Sequence, residues 1–170
     1  MLTWRERTCL HFLYDSESKT ATLKHKLTIP SDIREGWGVA TDGKFLYISD
    51  GSHELFTVAA TPKGLEIVRK VSVRDQKGVK RRLLNELEYV NGTIFSNVYT
   101  TNTILNIDPQ TGKVLEEWEM APSLYRESTR NVPLRHRSGA VLNGIAYDAK
   151  EHVFLITGKL WDYVYKYKLE

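Results

Sequence analysis

Three segments of the chain are versions of one another. The first reads Trp37-Gly-Val-Ala-Thr-Asp-Gly-Lys-Phe-Leu-Tyr-Ile-Ser-Asp50, the second Asn85-Glu-Leu-Glu-Tyr-Val-Asn-Gly-Thr-Ile-Phe-Ser-Asn-Val-Tyr99. The third runs Asn143-Gly-Ile-Ala-Tyr-Asp148 and resumes at Val153-Phe-Leu-Ile-Thr-Gly-Lys159. Each reads as strand, tight turn, strand. With Val39, Leu87 and Ile145 taken as equivalent, the units are spaced by 48 and 58 residues, the range in which self-similarity signals propeller blades.

Inside each unit the pattern is β. Val39, Leu87 and Ile145 open short apolar and aromatic runs, interrupted by Asp42-Gly43, Asn91-Gly92 and Asp148, residues that supply the turn backbone hairpins need. A further strand follows in each: Leu55–Val58, Ile104–Ile107 and Val164–Tyr167. Asp108-Pro-Gln-Thr-Gly112 then turns the chain into an outer strand, Lys113–Trp118. The expectation is a four-stranded meander per unit.

Two sets of equivalent positions follow. Trp37, Asn85 and Asn143 stand two residues before the three markers, and Asp50, Tyr99 and Lys159 stand five residues before the third strands. In a propeller the ends of successive inner strands converge on a central channel, so matching positions form rings of side chains around one mouth. Taken singly, Asn satisfies turns, Trp fills cores and Lys is solvated. Together, Trp37, Asn85, Asn143, Tyr99 and Lys159 describe a polar pocket with aromatic walls.

These residues carry a resemblance. Glu35-Gly-Trp-Gly-Val-Ala-Thr-Asp-Gly43, Ser49-Asp-Gly51, Leu84-Asn-Glu-Leu-Glu88, Val141-Leu-Asn-Gly-Ile-Ala-Tyr147 and Thr157-Gly-Lys-Leu-Trp161 resemble the plant-type glutaminyl-peptide cyclotransferases, and the likeness runs from Leu2-Thr-Trp4 to the C-terminus. The resemblance implies an all-β fold, a five-bladed β-propeller in the family, with about three blades and part of a fourth in residues 1–170 as one partial domain. It implies conversion of an N-terminal glutamine to pyroglutamate with release of ammonia, and no cofactor. By it, Asn85 and Lys159 are catalytic, Asn85 holding the substrate amide, and Trp4, Trp37 and Tyr99 bind substrate; Asn143 joins the substrate-binding set by its ring position. Trp4 is placed at the end of a strand. Tyr99, in Asn97-Val-Tyr99, stands where the plant enzymes carry tryptophan, which keeps an aromatic wall and adds a hydroxyl.

The family's general acid/base is a glutamate in a Phe-Gly-Glu-Gly-Leu-like segment, and an upstream Phe-Thr-Gln-Gly segment supplies a glutamine. Neither occurs in these 170 residues. The resemblance therefore implies the C-terminal two-thirds of the enzyme, and the expectation is a pocket without its proton shuttle. Glu6, Glu35, Glu86 and Glu88 lie nearby in sequence; Glu86 follows a ring position rather than filling it.

The chemistry asks for little. The α-amine of an N-terminal glutamine attacks its own side-chain carbonyl, so the nucleophile is already tethered. A carboxyl must move the proton, an effect of about 10²–10⁴ in rate, and donors must meet the developing oxyanion, a role that suits Asn85 and Lys159.

Composition bounds the remainder. The chain is 41% hydrophobic and 26% charged with net charge +3, which fits one globular domain and implies no strong electrostatic partner. Arg126, Arg130, Arg135, His136 and Arg137 cluster between Trp118 and Val141; a solvated loop accounts for them, and no nucleic-acid partner is expected. In the related enzymes this stretch makes a short helical excursion. Cys9 is the one cysteine, and the five histidines lack ligand-like spacing, so no metal is expected. Asn91-Gly-Thr93 fits a glycosylation sequon, but Asn-Gly between strands is first a tight turn. No apolar run approaches ~18 residues, and no membrane partner is expected; localisation is open. The expected partners are N-terminal glutaminyl peptides, with self-association through exposed blade edges. The alternative is a catalytically silent propeller fragment acting as a peptide-binding or interaction module. A propeller hydrolase or lactonase would want acidic metal ligands where this ring has Trp, Asn and Asn.

Overall fold

The computed structural model of the chain describes residues 1–169. Each repeat folds as an antiparallel meander, because short runs of alternating apolar residues are closed by residues able to turn. The first sheet is β3 (Gly38–Thr41), β4 (Leu46–Ser49), β5 (Glu54–Thr61) and β6 (Gly64–Ser72), after a hairpin of β1 (Thr8–Asp15) and β2 (Thr20–Thr28). The second is β7 (Leu84–Val90), β8 (Thr93–Val98), β9 (Thr103–Ile107) and β10 (Val114–Glu119). The third is β11 (Leu142–Asp148), β12 (Val153–Gly158) and β13 (Tyr165–Tyr167). It has three strands where the pattern of the repeat led us to expect four: only Lys168 and Leu169 follow β13 among the described residues, and neither is in a strand.

The turns show why the units begin and end where they do. Asp42 Oδ1 accepts the amides of Lys44 (2.8 Å) and Phe45 (2.7 Å), and Asp148 Oδ1 those of Lys150 (2.9 Å) and Glu151 (3.1 Å), so each aspartate side chain closes the turn it opens. Asn91 and Gly92 both take positive φ, 49° and 92°, the backbone of a two-residue hairpin turn whose twist matches its strands. Asn91 is thus in the turn that its sequence context called for. Between β10 and β11, helix α1 (Pro122–Ser128) and a single 3₁₀ segment (Leu134–Gly139) make the excursion expected of the arginine-rich stretch.

The sheets stack face to face, and strand alternation lets the first and second sheets each feed two cores. In the first sheet Tyr47 and Leu55 pack toward the second sheet with Leu87, Ile94 and Leu105, whereas Ile48 and Phe56 pack the opposite way with Cys9, Ile29 and Ile33. In the second sheet Phe95 and Ile104 turn toward Leu142, Phe154 and Ile156 of the third. Fully buried side chains of this size each contribute roughly 1.5–3 kcal/mol. The outcome is an all-β, propeller-like stack in which the first strands β3, β7 and β11 are neighbours.

A repeated polar device joins these first strands. Ser49 Oγ accepts the Gly38 amide (2.9 Å) and donates to the Asn85 carbonyl of the next sheet (2.6 Å). Asn97 does the same one sheet further on, accepting the Glu86 amide (3.0 Å) and donating to the Leu142 carbonyl (2.7 Å). Three of the four bonds are buried and the fourth, from the Glu86 amide, is partly buried, and together they fix the spacing of the first strands. At Gly38 the approach is so close that a Cβ would lie 2.1 Å from the Asn85 carbonyl oxygen.

Candidate functional site

The first strands of the three sheets open onto a cavity of about 330 Å³, lined by Trp4, Gly36, Trp37, Asn85, Glu86, Tyr99, Asn143 and Lys159. The structure therefore brings together all six residues that the sequence singled out, Trp4, Trp37, Asn85, Tyr99, Asn143 and Lys159. Asp50, the first-unit counterpart of Tyr99 and Lys159, is not among the lining residues. It is buried, and its carboxylate accepts the amides of Arg34 (3.3 Å) and Ser52 (3.0 Å), tying down the loops at the end of β4.

Trp37 is set by three contacts. Its amide donates to the Ser49 carbonyl (3.1 Å), its ring lies over Gly51 so closely that a Cβ there would be 2.6 Å away, and its edge meets the Tyr99 ring at 5.5 Å and 76°. Gly51 also has φ +77°, which a residue with a side chain rarely adopts. Tyr99 follows β8, held by its amide to the Leu83 carbonyl (2.8 Å), and Lys159 follows β12, held in the same way to Val141 (2.9 Å). The ammonium of Lys159 stands 4.8 Å above the Tyr99 ring, a cation–π contact that aims it. The residues after these two, Thr100 (φ 68°) and Leu160 (φ 59°), occupy the left-handed conformation that Gly51 takes in the first unit. Asn85 is buried, and its side-chain amide has no hydrogen-bond partner among the described residues, so both its donor and acceptor are available to a ligand.

Trp4 departs from its expected place. It sits in a bend between Leu2 and β1 rather than at a strand end, because Thr3 and Thr8 bond to each other across this turn through both backbone and side chain. Its carbonyl accepts the Gly36 amide (3.3 Å), and Arg5 lies 4.0 Å over its ring.

Two carboxyl groups were not legible as site residues. Glu35 accepts the indole N–H of Trp4 (2.5 Å) and of Trp37 (2.7 Å) on one oxygen, Oε2, and these two bonds hold its carboxyl below the usual glutamate range. Glu86 lines the cavity itself. Leu84 pairs with Val98 and Leu87 with Ser96, so Asn85 and Glu86 together oppose Asn97 in a bulge, a feature that re-aims side chains. Burial pushes the Glu86 carboxyl up, with a lesser upward push from Glu88 and a downward one from the Leu87 amide. Glu88, also raised by burial, accepts the Tyr147 amide (3.1 Å) from the next sheet. One sequence signal for Glu86 existed: aligned on their markers, the units carry Gly38, Glu86 and Gly144 at this position, so only the second extends a side chain there.

What the fold and cavity define is an all-β protein with an aromatic-walled polar pocket at the ends of its first strands. Residues 1–169 match the family model described as glutamine cyclotransferase. The chain is 37% identical over 161 residues to glutaminyl-peptide cyclotransferase of Arabidopsis thaliana, covering 94% of this chain and 46% of that protein. It superimposes on the crystal structure of Myxococcus xanthus glutaminyl cyclase with TM-score 0.82 and 31% identity, over 97% of this chain and 65% of that one. A mitotic checkpoint complex structure shares the fold alone, at TM-score 0.51 and 9% identity. The chain belongs to the glutamine cyclotransferase family. It spans about half the length of the Arabidopsis relative.

Proposed function

We propose that these residues form the substrate pocket and oxyanion donors of a glutaminyl-peptide cyclotransferase, built on three blades and the outer part of a fourth in a five-bladed propeller. The observation that carries the reading is the convergence of Trp4, Trp37, Tyr99, Asn85, Asn143 and Lys159 on one cavity. Indole and phenol faces hold the aliphatic part of a glutamine side chain against water. The Asn85 amide pairs with the side-chain amide, and Lys159 meets the charge that develops on its oxygen as the α-nitrogen bonds to the carbonyl carbon. The tetrahedral species collapses when the carbon–nitrogen bond of the side-chain amide breaks, and the proton lost by the α-amine leaves with ammonia. Because the nucleophile is part of the substrate, holding the reacting atoms together accounts for much of the rate.

The resemblance assigns proton transfer to a glutamate in a segment not found in these 170 residues, so we propose that this chain alone binds substrate and turns it over slowly. The expected result is ammonia release from a glutaminyl dipeptide near background for the chain alone, and clear release when a segment carrying the family's glutamate is fused upstream. In that fusion, Asn85→Ala or Lys159→Ala lowers turnover by about 10²–10³, the loss typical of one oxyanion donor. A fusion inactive on every glutaminyl substrate would remove the cyclotransferase reading. The second reading, a module that binds peptide N-termini without chemistry, would then remain, favoured by the same cavity.

A further inference from the structure

The aromatic cavity contains one carboxyl group among its described lining residues, that of Glu86, and one cation, Lys159. The two are not ion-paired, and no other cation pairs with Glu86 among the described residues. The bulge at Asn85-Glu86 lets both residues line the cavity, and at the Glu86 position the other two sheets have glycine. Holding an unpaired carboxyl in a pocket is unfavourable unless a cation arrives to meet it.

A free peptide N-terminus is such a cation. Its α-ammonium is attracted to carboxylates and to the faces of aromatic rings alike, and Trp37, Tyr99 and Trp4 supply those faces in the same cavity. Resting on the glutaminyl reading above, we propose that Glu86 recognises the free N-terminus of the substrate, its carboxylate receiving the α-ammonium of a peptide whose first side chain lies against Asn85. Glu86 is then a substrate-binding residue that makes the site blind to internal and N-acylated glutamine. The upward push of burial on its carboxyl fits a group that becomes fully charged only when its cationic partner is bound.

Calorimetric titration of the 170-residue chain tests this with three probes: a glutaminyl dipeptide amide, its N-acetylated form, and alanine amide. The wild-type chain binds the free glutaminyl probe at least about ten-fold more tightly than the acetylated one, the lower end of what a charge-assisted hydrogen bond contributes. Glu86→Gln, with its circular dichroism unchanged, reduces that preference to about one-fold, and Glu86→Asp keeps part of it. A Glu86→Gln variant that still prefers the free amine overturns the inference while leaving the glutaminyl reading intact. Wild-type binding of alanine amide that Glu86→Gln abolishes, without binding of either glutaminyl probe, upholds Glu86 as the amine site and removes the glutaminyl reading instead. Absence of binding by all three probes overturns both.

Discussion

The indole of Trp37 donates its N–H to Glu35 Oε2 at 2.7 Å, and this bond joins the cavity wall to a carboxylate two residues back in the chain. The same oxygen takes the Trp4 indole at 2.5 Å, so one anion sets the positions of two aromatic walls. Glu35→Gln keeps the size but removes the charge, and is expected to weaken binding of glutaminyl peptides and to shift tryptophan fluorescence. The folded-state pKa of Glu35 is lowered, so its contribution to stability is present above the unfolded value and lost as pH falls through the folded one. Melting temperatures of wild type and Glu35→Gln should therefore differ at neutral pH and converge well below pH ~4.3, the ordinary glutamate value. Parallel curves down to the acid limit would show that the charge is irrelevant.

Ser49 connects three backbone segments through one hydroxyl, in a site closed to water. Ser49→Ala leaves the Gly38 amide and the Asn85 carbonyl short of partners, at a cost of about 1–3 kcal/mol in urea unfolding. Because the Asn85 carbonyl is one of those groups, peptide affinity should fall as well. A stable variant with unaltered affinity would mean that β3 and β7 are positioned by packing alone.

Gly51 and Gly43 both have positive φ, +77° and +88°, yet only Gly51 has a neighbour. Alanine at Gly43 meets open space and incurs the backbone term, about 1–2 kcal/mol. Alanine at Gly51 incurs that term and also displaces the Trp37 ring. Chemical denaturation should show Gly51→Ala to be the more destabilised of the two, and only this variant should lose peptide binding.

Glu86 has a raised folded-state pKa, so its own contribution to stability is fully present below the unfolded value and is lost as pH rises through the folded one. Replacement by Gln removes that loss. The melting temperature of Glu86→Gln should match wild type near pH 4 and exceed it at pH 8. The charged neighbours of Glu86 are few: Glu88 adds to the effect, and Lys159 lines the same cavity. A variant that is less stable at pH 8 would show that the Glu86 charge is already compensated in the folded chain.

The sequence by itself determined the repeated strands and turns of the three units and five residues of the cavity, with Trp4 added by the family resemblance; it did not foresee that the third sheet has three strands. Trp37, Asn85 and Asn143 were legible because each stands two residues before an apolar marker, Val39, Leu87 or Ile145, and repeated units place equivalent positions around one mouth. Asp42, Asn91-Gly92 and Asp148 were legible because turn chemistry is local. Tertiary structure decided what depends on breaks in period or on distant partners. At the bulge that carries Glu86 into the cavity, β7 pairs with β8 while the Asn85 carbonyl meets Ser49 and the Glu86 amide meets Asn97, partners distant in sequence that no local preference records. Asp50 stands at the right spacing for the ring yet its carboxylate turns to the amides of Arg34 and of buried Ser52, which the loops there leave without strand partners. Glu35 meets Trp4 across a separation of 31 residues and so joins it to Trp37, an encounter that the docking of the N-terminal bend on Gly36 brings about.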